Sequence, residues 1–152
     1  MARRRLRQRY TQCPRLVRHD LLDGGSGDDR FVVKGYDDAE INVGTGSDTI
    51  VLVEGFGSEE FPSIDINGFD PVNDILDLSR LDANVANEEG DQAFTIIGPD
   101  ALVDHTVRTI GFGYWGSTLY LKLYNSLGQE DVTIILSRDM LAPDLSSSWI
   151  IL

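Results

Sequence analysis

Hydrophobic and polar residues alternate along much of this chain with a period of two. In the stretch TLYLKLY (118–124), three leucines alternate with threonine, tyrosine and lysine. This period places the two sets of side chains on opposite faces of a β-strand, whereas an amphipathic helix repeats about every 3.6 residues. The linker NSLGQED then leads into VTIIL, a second apolar stretch. We therefore predict a β-hairpin here.

Other apolar stretches of strand length lie in the second half of the chain. We predict strands at 93–97, 107–112, 118–124, 132–136 and 149–152, and a turn at 68–71, where the sequence is GFDP. The longest aliphatic run, residues 50–53, is far too short to span a bilayer, so we expect no membrane insertion. The chain as a whole is predicted to be all-β.

A nine-residue pattern occurs twice in the first half. Residues 24–32 read GGSGDDRFV and residues 43–51 read VGTGSDTIV, and both fit x-G-x-G-x-D-x-U-x, where U is large and apolar. A weaker copy at 34–42 keeps the second glycine and the apolar residue but has Ala39 at the aspartate position. Upstream, Asp20 and Leu22 stand where a preceding copy would place its aspartate and its apolar residue.

This pattern suits a backbone that wraps a hard cation. Glycine adopts positive φ without strain, so it allows tight turns in which carbonyl oxygens approach an ion. Aspartate adds a short charged oxygen ligand, and calcium prefers six to eight oxygen ligands. The apolar eighth position would begin a short strand that points into the core.

The pattern resembles the calcium-binding nonapeptide repeats of repeats-in-toxin (RTX) proteins, which form a parallel β-roll. The resemblance implies that each ion lies between turns two repeats apart on one side of the roll. Asp29 and Asp48 are 19 residues apart, two nonapeptides plus the extra Val33, and they form the expected ligand pair. The expected Ca²⁺ ligands are Asp29, Asp48 and the backbone near Gly25, Gly27, Gly44 and Gly46. On the opposite side Asp20 would pair with Ala39, which makes a second site there doubtful.

Nearby acidic residues are expected to be solvated charges rather than ligands. They are Asp28, Asp37, Asp38 and Glu40.

Charge is unevenly distributed along the 152 residues. The formal net charge is −12, but residues 1–20 hold seven of the 13 basic residues and one of the 25 acidic ones. The remainder therefore carries a formal charge of −18, which opposes compaction unless cations neutralise it. With Cys13 as the only cysteine, a disulfide framework is excluded.

The basic N-terminal segment has no apolar core, so it does not have the pattern of a secretory signal peptide. We expect residues 1–19 to be a disordered tail. A nucleic-acid-binding arm is the alternative, and the acidity of the rest of the chain argues against it because it would repel phosphate.

The second half resembles the C-terminal region of secreted serralysin-type metalloproteases. The resemblance rests on the ordered series GFDPVNDILDLSRLDAN, GDQAFTIIG, a strand hairpin and the apolar ending WIIL. It implies an RTX β-roll at 20–60 followed by a β-sandwich-like domain at 61–152. It also implies a C-terminal signal for a type I secretion apparatus, and hence an extracellular protein.

The chain lacks the motifs of an enzyme. It has two histidines, His19 and His105, and neither an H-E-x-x-H zinc motif nor a G-x-S-x-G nucleophile motif. We therefore expect a non-catalytic module that folds on binding calcium and serves a fused or separate catalytic domain. The alternative is a carbohydrate-binding or adhesin-type module that uses Tyr114, Trp115, Tyr120 and Tyr124.

Overall fold

A computed structural model of the chain has twelve β-strands and no helix within the residues that it describes. The described residues are 8–10, 20–34, 38–53, 63–81, 94–96, 109–115, 118–124, 130–137 and 148–152. The strands are β1 (Gln8–Tyr10), β2 (Asp20–Asp23), β3 (Arg30–Lys34), β4 (Ala39–Asn42), β5 (Thr49–Val53), β6 (Ser63–Asn67), β7 (Ile75–Arg80), β8 (Thr95–Ile96), β9 (Thr109–Trp115), β10 (Thr118–Tyr124), β11 (Glu130–Ser137) and β12 (Ile150–Ile151). The prediction of an all-β chain is confirmed.

Successive strands of the first half join two sheets in turn. One sheet has the order β1-β3-β5-β7-β12, and the other has the order β2-β4-β6-β11-β10-β9-β8. Strands β1 to β7 pair in parallel within their sheets. In both sheets the first two coils are offset by 19 residues, since Phe31 faces Ile50 and Leu22 faces Ile41. This is the parallel roll that the repeat predicts.

The core lies between the two sheets and is built from rows of stacked apolar side chains. Phe31, Ile50, Leu76 and Ile150 occupy one row of the first sheet, and all four are buried. The second sheet contributes its own buried residues to the same cluster: Leu22, Ile41, Ile66, Leu136 and Leu119. Stacking identical positions removes apolar surface from water at each added coil, which is how a repeat of short strands becomes stable.

The second half adds strands to both sheets of the roll. Strands β9, β10 and β11 are antiparallel, so the predicted hairpin is confirmed. Strand β11 pairs in parallel with β6, and β12 pairs in parallel with β7. The two sheets therefore continue past residue 60, and the domain division placed there stays a prediction.

The prediction for the basic N-terminal segment, residues 1–19, needs a correction at one place. Residues 8–10 form β1, which pairs in parallel with β3, so the expectation of a disordered tail is wrong for these residues. An edge strand offers unpaired backbone N–H and C=O groups that can bind an added strand whatever its side chains are. Residues 1–7 and 11–19 lie outside the described part of the chain.

Candidate metal site

Two glycine turns connect the sheets at the same end of the roll. The first joins β2 to β3 and the second joins β4 to β5. Their glycines have the positive φ that the sequence predicts: 81° at Gly25, 102° at Gly27, 92° at Gly44 and 144° at Gly46. A side chain at these positions would strain the backbone, so glycine is required for this turn shape.

The two turns lie directly against each other. The amide of Thr45 donates to the Gly25 carbonyl at 3.1 Å, and the amide of Gly27 donates to the Thr45 carbonyl at 2.8 Å. A Cβ on Gly44 would overlap the backbone of Gly25, and a Cβ on Gly46 would overlap that of Gly27. The turns can approach this closely only because they lack side chains there.

Three buried aspartates stand in a row just behind these turns, and we call them the aspartate ladder: Asp29, Asp48 and Asp74. Each immediately precedes a strand of the first sheet. The amide of Asp29 donates to Asp48 Oδ1 at 2.8 Å, and the amide of Asp48 donates to Asp74 Oδ1 at 2.9 Å. The carboxylates of Asp48 and Asp74 therefore each accept a hydrogen bond from the aspartate one coil earlier, which links the coils.

Two carboxylates of the ladder are buried, and each has one oxygen that accepts no hydrogen bond from the described residues. Asp29 is 7% exposed and Asp48 1% exposed, and the Oδ2 atom of each is buried without a hydrogen-bond partner in the part of the chain that the structure describes. Burial raises the pKa of Asp48 above its usual value of 3.8, and the charges of Asp74, Asp29 and Asp28 raise it further. The hydrogen bond from the Asp29 amide acts in the opposite direction and lowers the Asp48 pKa. Buried polar atoms nearly always have partners, so these two oxygens call for an explanation.

A calcium ion fits this donor set by its chemistry. Two buried carboxylate oxygens lie behind the glycine turns. Each backbone carbonyl oxygen of those turns has two lone pairs, and calcium takes both carboxylate and carbonyl oxygens as ligands. Within the described residues, no three acidic, histidine or cysteine side chains converge as a metal-binding group. The three carboxylates lie in a row and do not surround one point, so carbonyl oxygens from the turns would have to complete the coordination of an ion.

The predicted site residues are brought together in the stacked turns and the ladder. Asp29 and Asp48 are neighbours in the ladder, and the four glycines occupy the two stacked turns. Their roles as ligands stay a prediction. On the opposite side of the roll Asp20 faces Ala39, as the spacing predicts.

Three of the acidic residues expected to be solvated charges also accept hydrogen bonds that link neighbouring coils. Oδ1 of Asp28 accepts from the Ser47 amide at 3.0 Å, and Oδ1 of Asp38 accepts from the Ser63 amide at 2.8 Å. Oε1 of Glu40 accepts from Asn67 Nδ2 at 3.1 Å. All three residues are partly exposed, so these hydrogen bonds leave the expectation of solvated charges rather than ligands a prediction. Asp37 lies outside the described residues.

Sequence reasoning missed Asp74 as the third member of the ladder. Its turn, residues 68–73, lacks the G-x-G spacing, and Asp70 organises it by accepting from the Val72 amide at 3.1 Å and from Asn73 Nδ2 at 2.9 Å. A shorter sequence pattern does mark Asp74 as a member of the ladder. In all three cases the aspartate lies two residues before a buried inward-facing residue: Phe31, Ile50 and Leu76.

Comparisons with known proteins found a similar solved structure but no family. No family model and no curated protein matches the chain. Among solved structures, the chain is similar to the solution structure of the AlgE6R3 subunit from the Azotobacter vinelandii mannuronan C5-epimerase. The identity is 20%, the TM-score is 0.36, and the match covers 90% of this chain and 81% of that one.

Two other sequence expectations concern membranes and catalysis. No helix long and apolar enough to cross a membrane occurs among the described residues. His19 and His105 lie outside those residues, so the expectation that the chain is not catalytic stays a prediction.

Proposed function

We propose that this protein is a calcium-binding, non-catalytic β-roll module whose folded state is stabilised by calcium. The observation that carries the proposal is a pair of buried carboxylate oxygens, Asp29 Oδ2 and Asp48 Oδ2, that have no hydrogen-bond partner among the described residues. Both lie behind stacked glycine turns at the position where the repeat pattern predicts a cation.

The proposed mechanism is linkage between binding and folding. Without a cation, folding has to bring three carboxylates together in a row and bury them, within a region of formal charge −18. A divalent cation beside Asp29 and Asp48 offsets this repulsion, and it binds the folded state because only folding brings the two carboxylates together. Extracellular calcium modules bind with dissociation constants of about 10⁻⁴–10⁻³ M, so they are filled at millimolar calcium and empty in the cytosol.

The proposed setting is extracellular, with export by a type I secretion apparatus that reads the C-terminal segment. Part of the C-terminal segment is buried: Trp149 is 2% exposed and its ring packs edge-on against Phe69 at a centroid distance of 5.5 Å, whereas Ile151 and Leu152 are exposed. An exporter can reach the Trp149 side chain only while the chain is unfolded, which agrees with folding that waits for calcium outside. The relation to serralysin-type proteases, and a fused or separate catalytic domain as partner, belong to the same proposal.

The test is a calcium titration of the full chain, followed by far-ultraviolet circular dichroism and thermal unfolding, with magnesium as the ionic control. We expect calcium to raise Tm and magnesium to do so weakly, because magnesium demands a stricter octahedral geometry. The double variant Asp29→Asn/Asp48→Asn should lose the response. Asn keeps an oxygen that can accept the Asp29 amide, so loss of the calcium response would not reflect loss of that hydrogen bond.

The matched control is Asp20→Asn, which changes one charge on the opposite side of the roll. It should keep the full calcium response. A calcium response that survives in the double variant, or a Tm identical in calcium and in chelator for the wild type, would contradict the proposal.

A second candidate function is carbohydrate binding, and one specific observation favours it. Trp115 is 82% exposed at the end of β9, and cross-strand pairing places it on the same face of the sheet as half-buried Tyr120. Exposed aromatic rings with hydroxyl neighbours can stack on sugar rings. The side chains of Tyr114 and Tyr124 lie outside the described part of the structure. Glycan-array binding that is lost in Trp115→Ala but kept in Val72→Ala, another exposed apolar residue, would support this candidate.

A further inference from the structure

The three carboxylates of the aspartate ladder differ in how fully the protein itself neutralises them. Asp29 and Asp48 each keep a buried oxygen that has no hydrogen-bond partner among the described residues. Asp74 is equally buried, with 3% of its surface exposed, but both of its oxygens accept backbone amides. Its Oδ1 atom accepts from Asp48 at 2.9 Å, and its Oδ2 atom accepts from Asp70 at 2.7 Å. Amide donors of this kind stabilise the ionised form of a carboxyl group, so Asp74 has less need of a cation than Asp29 and Asp48.

The turn before Asp74, residues 68–73, is organised by Asp70. The carboxylate of Asp70 accepts from the Val72 amide and the Asn73 side chain. Its carbonyl oxygen accepts two further amides, from Asn73 at 3.0 Å and from Asp74 at 2.7 Å. A carbonyl oxygen has two lone pairs, so these two amides occupy the acceptor positions that an ion would use.

The third turn also approaches the second turn less closely than the second approaches the first. A Cβ on Gly44 would overlap the backbone of Gly25, whereas a Cβ on Gly68 would meet a methyl group of Val43 at 3.7 Å, an ordinary contact. The carbonyls of Gly25 and Thr45 each accept one amide from the described residues, which leaves each a lone pair. The gap between the first and second turns therefore combines carboxylate and carbonyl oxygens, as calcium requires.

We propose that the ladder binds a single calcium ion, between Asp29 and Asp48, and that the Asp70 turn takes the place of a second ion at Asp74. This proposal rests on the calcium binding proposed above and adds where along the roll the dependence on calcium stops. Hydrogen bonds alone hold the third coil to the second at this row, whereas the first coil is held to the second by hydrogen bonds and by the ion.

The experiment counts the calcium ions bound to the full chain by equilibrium dialysis, at a calcium concentration that saturates the wild type. Asp48→Asn and Asp74→Asn are matched variants, with the same substitution one coil apart. Asp48 borders both gaps of the ladder, so Asp48→Asn should lose one ion if one gap is filled and two ions if both are. We expect Asp48→Asn to lose one ion and Asp74→Asn to lose none. Loss of two ions in Asp48→Asn, or of any ion in Asp74→Asn, would overturn the proposal.

Thermal unfolding in chelator is the second readout, and it should differ in sign between the two variants. Asp74→Asn should lower Tm by about 5 °C, because asparagine offers one oxygen where Asp74 accepts amides on two. Asp48→Asn should raise Tm, because it removes a buried charge that has an oxygen without a partner among the described residues. A higher Tm for Asp74→Asn would overturn the single-ion proposal but not calcium binding itself. A wild type that binds no calcium would instead overturn the proposed function, and the single-ion proposal with it.

Discussion

The residues at which the chain enters the first sheet differ from those at which it enters the second sheet, although both sheets are built from the same parallel coils. Strands of the first sheet are entered through the aspartate ladder, Asp29, Asp48 and Asp74. Strands of the second sheet are entered at the equivalent row, which is Asp20, Ala39 and Ile64. Ala39 is 3% exposed and Ile64 is fully buried, so this side is closed by apolar packing.

This comparison shows that one fold can be held together in two ways. We call the start of the second sheet's strands, with Ala39 and Ile64, the apolar entrance, and the start of the first sheet's strands, with the aspartate ladder, the aspartate entrance. The apolar entrance gains stability from burial alone and needs no ion from solution. The aspartate entrance gains backbone hydrogen bonds but buries charge, which is costly unless the charge is paired. Any response to cations, pH or salt should therefore be confined to the aspartate entrance, and substitutions on the two sides can test this division.

The largest expected effect comes from the contact between the glycine turns. Gly44→Ala should lower the free energy of unfolding by about 3–5 kcal/mol, because it adds a left-handed alanine and forces the turns apart. Gly25→Ala is the matched control. It has a similar φ of 81° but no atom within 4 Å of the added Cβ, so it should cost only about 1–2 kcal/mol. Urea unfolding measures both, and equal costs would show that the turns do not stack as described.

The next largest effect is expected at the apolar entrance. Ile64→Ala removes a fully buried side chain and should cost about 3 kcal/mol through lost burial and the cavity left behind. Because no charge is involved, the loss should be equal in chelator and in millimolar calcium. A loss that shrinks by more than about 1 kcal/mol in calcium would mean that the two entrances are coupled.

At the aspartate entrance, one substitution should have opposite effects in the two conditions. Asp48→Asn removes a buried charge while keeping an oxygen that can accept the Asp29 amide, so in chelator it should raise stability by about 1 kcal/mol. In calcium it should be less stable than the wild type, because a charged ligand is gone. Thermal unfolding in both conditions measures this crossover, and Asp20→Asn should show none. Lower stability of Asp48→Asn in chelator would refute the idea of an uncompensated charge.

The sequence predicted those features that depend on local pattern or exact spacing. Alternating leucines predicted β10, and two glycine-aspartate repeats predicted that Asp29 and Asp48 lie beside each other on successive coils. Asp74 was missed because inserted residues before it break the nonapeptide spacing. The pairing of β6 with β11 was missed because its partners, such as Ile64 and Ile134, are far apart in sequence. A period of two shows which face of a strand is buried, but not which strand lies beside it.

The smallest expected effect is the pH dependence of the metal-free protein, and its sign is set by Asp48. Burial and the neighbouring charges of Asp74, Asp29 and Asp28 raise the pKa of Asp48 above 3.8, so the folded state holds this proton more tightly than the unfolded state. The cost of the ionised form is absent below pH 3.8 and grows as the pH rises through the raised pKa. Lowering the pH through the raised pKa toward 3.8 should therefore increase the contribution of Asp48 to stability.

The difference in Tm between wild type and Asp48→Asn isolates this contribution from all other carboxyl groups. In metal-free buffer the wild type should approach the variant as the pH falls. In calcium the Tm of the wild type should instead lie above that of the variant at neutral pH, and this difference should shrink as the pH falls. The reason is that the cation favours the ionised carboxylate and is displaced by protons. Parallel Tm curves for the two proteins at every pH in metal-free buffer would show that Asp48 titrates alike in the folded and unfolded states. The aspartate entrance would then not be the strained, cation-sensitive side of the roll.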